Sequence, residues 1–167
     1  VGDRADVLKA VLASNIKNAL FAGIASKSSY DELRKGNQFN LGGSFGGGGP
    51  SLKLTAEDVY FENHCAVVKV KNTTIVISEL RRPFHNLGDF DSLKINLKDF
   101  QLLVIKSGYL SPELQELSVP SFMVLSSGAV NQDLSSIKNI HRQKPIFPFQ
   151  DFDQFIPEVS NGLNLIG

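Results

Sequence analysis

The stretch CAVVKVKNTTIVISEL, residues 65–80, constrains the fold more than any other part of the chain. Two runs rich in β-branched residues flank Lys71-Asn72-Thr73. Such side chains suit a pleated, half-buried surface, and the short polar break predicts a hairpin. The preceding SLKLTAEDVYFEN (51–63) alternates at Leu52, Leu54 and Ala56. It changes phase near Glu57-Asp58 before Val59 and Phe61, the pattern of one bulged strand. Residues 51–80 therefore read as a long antiparallel β segment.

Elements of both kinds flank this segment. Val7, Leu8, Val11, Leu12 and Ile16 recur at helical spacing behind Asp3, a capping residue. NALFAGIAS (18–26) has the length of a strand. SSYDELRKG offers a capping box, Ser29 with Glu32, and Gly36 as a stop. QFNLGG is a second strand, and the order helix, strand, helix, strand predicts a parallel pair joined by a crossover helix. Downstream, LLVIKS (102–107) and SFMVL (121–125) read as strands joining that first sheet. SPELQEL between them opens a helix with Ser111 as cap and Pro112 at its first position. KPIFPFQDFD reads as an extended tail. The expected fold class is α/β: a mixed sheet with crossover helices plus a long antiparallel β-hairpin segment. Its expected core is Val7, Val11, Leu12, Leu20, Ile24, Val68, Val70, Ile75, Ile77, Leu103, Val104, Ile105, Met123 and Leu125.

Composition removes several classes of function. The 167 residues have a formal net charge of zero, so no global field draws the chain to nucleic acid or acidic lipid. No apolar run approaches the roughly 20 residues that span a bilayer. The N-terminus lacks the basic-then-apolar order of a signal peptide. One cysteine, Cys65, forms no internal disulfide, which fits a reducing compartment. The expectation is a cytoplasmic protein.

The glycine-rich LGGSFGGGGP (41–50) invites a phosphate-loop reading. It ends in Pro50-Ser51 and leads into a strand, without the lysine and the helix that a phosphate loop or dinucleotide fingerprint requires. It reads instead as a strand-to-strand connection. His64, His85 and His141 show no metal-ligand spacing, and Cys65 reads as a buried structural thiol beside a surface His64. KNIHRQK (138–144) is a solvated basic loop. RRPFHNLGDF (81–90) supports two readings. In one, Pro83, Phe84 and Phe90 anchor a surface loop with Arg–Asp pairs. In the other, Arg82 and His85 face an anionic or metal-bound ligand supplied by another domain.

Longer strings carry more. ISELRRPFHNLGDF, then LLVIKSGYLSPELQELSVPSFMVLSSGAVNQDL, then HRQKPIFPFQDFD resemble the C-terminal domain of the microcystinase C (MlrC) family of metallopeptidases. The family's motifs read here as Arg81 through His85, Lys106 through Leu114, Gly128 through Gln132, and Lys144 through Asp151. GDRADVLKAVLASNIKNALFAGIAS takes the place of the helix and strand that follow the family's Asn-Pro-Gly-Gly motif. The likeness covers about residues 2–153, divided into an α/β part (1–43), the glycine loop (44–50) and a β-rich then α/β part (51–153). Residues 154–167 have no counterpart. Ser44 stands where lysine or histidine is frequent, Lys144 replaces arginine, and Phe149-Gln150 replace leucine.

This resemblance implies a larger N-terminal catalytic domain as partner, supplying zinc-binding Asp and His residues and the acid that activates water. The chain begins where the C-terminal domain would, so it is expected to be a piece of a longer protein that binds no zinc and is inactive alone. A homo-oligomer is a further expected partner; nucleic acid and membrane are not. The resemblance implies that Arg82, His85, Lys106 and Tyr109 line a substrate cleft, with Gln132 as a further candidate. Gly42 and Gly43 are close-approach backbone at an interdomain surface. RRPFH and KSGYL should lie together, with an anion offsetting Arg82 and Lys106, or else with Asp89 or Asp91 pairing the arginine. His85 and Tyr109 would donate to an oxyanion or carbonyl. The alternative is a non-catalytic interaction or regulatory module that shares the fold.

Overall fold

A computed structural model of the chain describes residues 4–42, 51–107, 109–117 and 120–123. The elements run α1 (Arg4–Ala13), β1 (Ala19–Ala25), α2 (Lys27–Lys35), β2 (Gln38–Gly42), β3 (Ser51–Thr55), β4 (Asp58–Glu62), β5 (Cys65–Val70) and β6 (Thr73–Ser78). They continue through α3 (Leu87–Asp91), a 3-10 turn (Leu97–Asp99), β7 (Leu102–Ile105) and α4 (Pro112–Leu117). Among the described residues these make one five-stranded sheet, ordered β4-β5-β6-β1-β7, and a two-stranded sheet of β2 and β3. The fold is α/β as expected.

The β-branched runs form the expected hairpin. β5 and β6 are antiparallel, Val70 faces Thr73, and Lys71 turns the chain with φ 51°. A second two-residue turn, Asn63-His64, joins β4 to β5, and its positive φ values of 47° and 59° match the twist of the strands it connects. β1 lies between β6 and β7 and runs parallel to both. All its residues but the last are buried, as a strand covered on both faces requires.

Three local expectations are corrected. β1 and β2 are not a parallel pair, because β2 instead pairs antiparallel with β3. The stretch 51–62 is not one bulged strand but two strands of different sheets. The transfer happens at the phase change: Ala56 N donates to Asn37 O beside the small sheet (2.7 Å), and Glu57 N donates to Lys69 O of β5 (2.8 Å). Ser29 and Glu32 do not open α2, since the cap is Ser26, whose side chain accepts from Ser29 N. They tie the helix to β2: Ser29 Oγ donates to Asn40 O, and Glu32 Oε2 accepts from Asn40 N at 2.8 Å. Glycine-rich residues thus link two antiparallel neighbours, Gly42 and Ser51.

Each face of the large sheet is covered. On one, Leu8 of α1, Tyr30 and Leu33 of α2, and Phe39, Leu41 and Leu54 of the small sheet pack on Phe21, Ile24, Val68, Ile75 and Ile77. On the other, Phe84, Phe90, Leu93, Ile95, Leu97 and Leu114 cover Leu20, Cys65, Val67 and Val76. Val11 and Val70 are buried as expected, but Val7 is 36% and Met123 55% exposed. Leu12, Leu103, Val104 and Ile105 are half-buried, the last three on the strand that ends the sheet among the described residues. Residues 121–123 form no strand, contrary to the SFMVL expectation. Asp3 and Leu125, with the tail and the basic loop, lie outside the described residues.

Gly23 adjusts β1. Its φ is +87°, the β1–β6 register shifts between Phe21 and Ile24, and a Cβ there would stand 2.9 Å from Lys106 O. Only glycine lets β7 approach this closely.

Candidate functional site

Because β6, β1 and β7 are parallel, their C-terminal ends leave the sheet on one edge, the usual position for ligands in α/β folds. β6 exits into RRPFH and β7 into KSGYL, and these two loops meet. The His85 ring lies 4.9 Å from that of Tyr109, between centroids. His85 Nε2 is 3.2 Å from Ser107 Oγ, and His85 Nδ1 is 3.3 Å from the Tyr109 hydroxyl. Ser111, the expected cap, accepts from Leu114 N at 3.4 Å and donates to His85 O. His85 is therefore held through its ring, its carbonyl and, at 2.9 Å, its amide, which donates to Asp89 Oδ2.

Arg82 is engaged within this loop. Its Nη2 is 3.1 Å from Asp89 Oδ1, its Nη1 reaches Asn63 O at 3.5 Å, and its guanidinium lies over the Phe84 ring. Asp89 pairs the arginine, so an anion between Arg82 and Lys106 is not needed to offset Arg82. Burial pushes the Asp89 carboxyl up, but the Asn86 and His85 amides and Arg82 more than offset it and hold it below the usual range. Lys106 is exposed at the end of β7, its amide bonded to Ala22 O at 2.9 Å. Gly42 ends β2 in the other sheet, with φ 114°. Gly43 and Gln132 lie outside the described residues.

The sequence did not point to Ser107 as a partner of His85, nor to Glu113, which accepts from Leu87 N at 2.9 Å. A second cluster was also missed. Glu79, at the end of β6, bonds His64 Nδ1 and Lys27 Nζ, each at 3.0 Å. These bonds, His64 first, lower the Glu79 carboxyl, while Glu79 and then Asp31 raise Lys27. Nothing in the spacing signalled this, because His64 and Lys27 come from separate elements. The cluster adjoins a surface cleft of about 480 Å³ with Tyr30, Asp31, Arg34 and Lys35. Cys65 is fully buried, and burial pushes its thiol up against the opposing pull of Arg82. It has the surroundings of a structural thiol. Among the described residues no three His, Cys, Asp or Glu side chains converge to hold a metal ion.

A mixed α/β domain with a polar cluster fixed where its parallel strands end is the class that fold and site define. The chain matches the family model described as MlrC C-terminus over residues 1–141, and it belongs to that family. A search of curated proteins found no match. No helix among the described residues is long and apolar enough to cross a membrane.

Proposed function

We propose that the chain is the C-terminal domain of an MlrC-type zinc-dependent peptidase or amidohydrolase, cytoplasmic in location. In this reading the His85 edge forms one wall of a substrate cleft closed by an N-terminal catalytic domain. The observation that carries it is the exposed His85–Tyr109 pair. Tyr109 is 60% exposed, yet its hydroxyl and ring are engaged by a histidine that three further residues hold in place. Polar side chains ordered this way at a surface contribute little to stability but are suited to orienting a ligand.

In this reading the zinc belongs to the partner domain, and no step is derived through it; among the described residues no three His, Cys, Asp or Glu side chains converge on a metal position. Arg82, committed to Asp89, is a positioning residue for the loop, and in this reading His85 and Tyr109 face the substrate. The test uses the full-length parent enzyme. His85→Ala and Tyr109→Phe should each lower kcat/KM by about 10²-fold while changing stability by no more than about 1 kcal/mol. Unchanged turnover in both variants would favour the non-catalytic module, the reading that Arg82's structural engagement supports.

A further inference from the structure

The protons of the His85 cluster can be assigned from geometry. Ser107 Oγ lies 2.7 Å from Tyr109 O and 3.2 Å from His85 Nε2. A carbonyl cannot donate, so the shorter bond uses the only hydrogen of the serine. Ser107 therefore meets Nε2 with a lone pair, and Nε2 carries a hydrogen. A neutral imidazole has one N–H, which leaves Nδ1 bare and makes the Tyr109 hydroxyl, 3.3 Å away, its donor. The Tyr109 amide, 3.4 Å from Ser107 Oγ, adds to the same arrangement.

Every donor of the cluster is thus consumed internally. What the Tyr109 oxygen keeps for an outside group is its lone pairs, on a residue that is mostly exposed. On this assignment the pair accepts, where the sequence reading expected donors for an oxyanion. We infer that Tyr109, seated on neutral His85, is an acceptor subsite for an N–H donor of the ligand, a peptide amide or a protonated amine. Protonating the ring puts a hydrogen on Nδ1, which then donates to the Tyr109 oxygen. The phenolic hydrogen must rotate outward, and the same position becomes a donor. Of the charged groups nearby, Asp89 and Glu113 bind backbone amides of the loop, Arg82 pairs Asp89, and Lys106 follows β7 immediately before Ser107.

The ligand class rests on the cleft reading above, but the test separates the two, since it needs no turnover. Histidine-ring nitrogen NMR on the full chain should show neutral His85 as the Nε2–H tautomer, shifting toward a mixture in Tyr109→Phe. With the ring neutral, methylammonium should perturb the Tyr109 ring resonances and acetate should not; after acidification the preference should invert. Tyr109→Phe should lose both responses. An Nδ1–H tautomer in the unsubstituted chain, or an acetate response while the ring is neutral, overturns the inference whatever the parent's turnover.

Discussion

Replacing Gly23 with alanine probes the point where the core and the site edge depend on each other. The residue holds φ +87°, which costs a side-chain-bearing residue about 1–3 kcal/mol. The new Cβ would also stand 2.9 Å from Lys106 O and 3.1 Å from Lys106 Cβ, and the first of these is backbone that yields only if β7 moves. Alanine stiffens the unfolded chain, which offsets about 0.4–1 kcal/mol. The net expectation is a loss of about 1–3 kcal/mol, or roughly 2–12 °C in Tm for a chain of this size. Urea unfolding followed by circular dichroism should show a lower midpoint with an unchanged slope. Gly88→Ala is the control: it sits in α3, and a Cβ there meets nothing within 4 Å, so it should be neutral or slightly stabilising. Equal stability of Gly23→Ala and the unsubstituted chain would refute the close-approach argument. So would equal losses at both glycines.

Three further outcomes follow from the buried and half-buried ionisable groups. The folded-state Asp89 carboxyl titrates below its unfolded value, so its contribution is present above about pH 4 and is lost as pH falls through the folded value. The Tm deficit of Asp89→Asn should therefore shrink on acidification below about pH 4, and a deficit that stays constant would show that the carboxylate charge is not what matters. The Cys65 thiol is raised by burial, so stability should decline as pH rises above the unfolded thiol's value. A thiol reagent at pH 8 should label Cys65 only at the rate of unfolding, and rapid labelling of the native chain would contradict its burial.

What could be read from the sequence was whatever neighbouring residues decide between themselves. The hairpin at Lys71 was legible because both of its strands and its turn lie within one stretch. The phase change at Ala56–Glu57 was visible too, but the same signal describes a bulge or a change of sheet, and only the bonds to Asn37 and Lys69 distinguish them. Ser29 and Glu32 have capping spacing, yet Asn40 of β2 competes for both side chains and Ser26 takes the cap. The meeting of RRPFH with KSGYL was foreseeable from their positions after two strands. The competition of Asp89 with any outside anion for Arg82 could only be posed as an alternative. The Lys27–Glu79–His64 cluster joins three elements, and no local pattern signals it.

β1 also governs the order in which the chain assembles. It precedes both of its partners, which begin only at Thr73 and Leu102. As the polypeptide leaves the ribosome, the β4–β5–β6 meander closes through short loops, while ALFAGIA must wait as an unpaired apolar segment until its neighbours emerge. Its docking closes the longest loops in the sheet, which makes it a slow step and the moment of greatest aggregation risk. A nascent chain halted before Leu102 would carry β1 with one ladder made and the other side bare, a template for pairing with another chain.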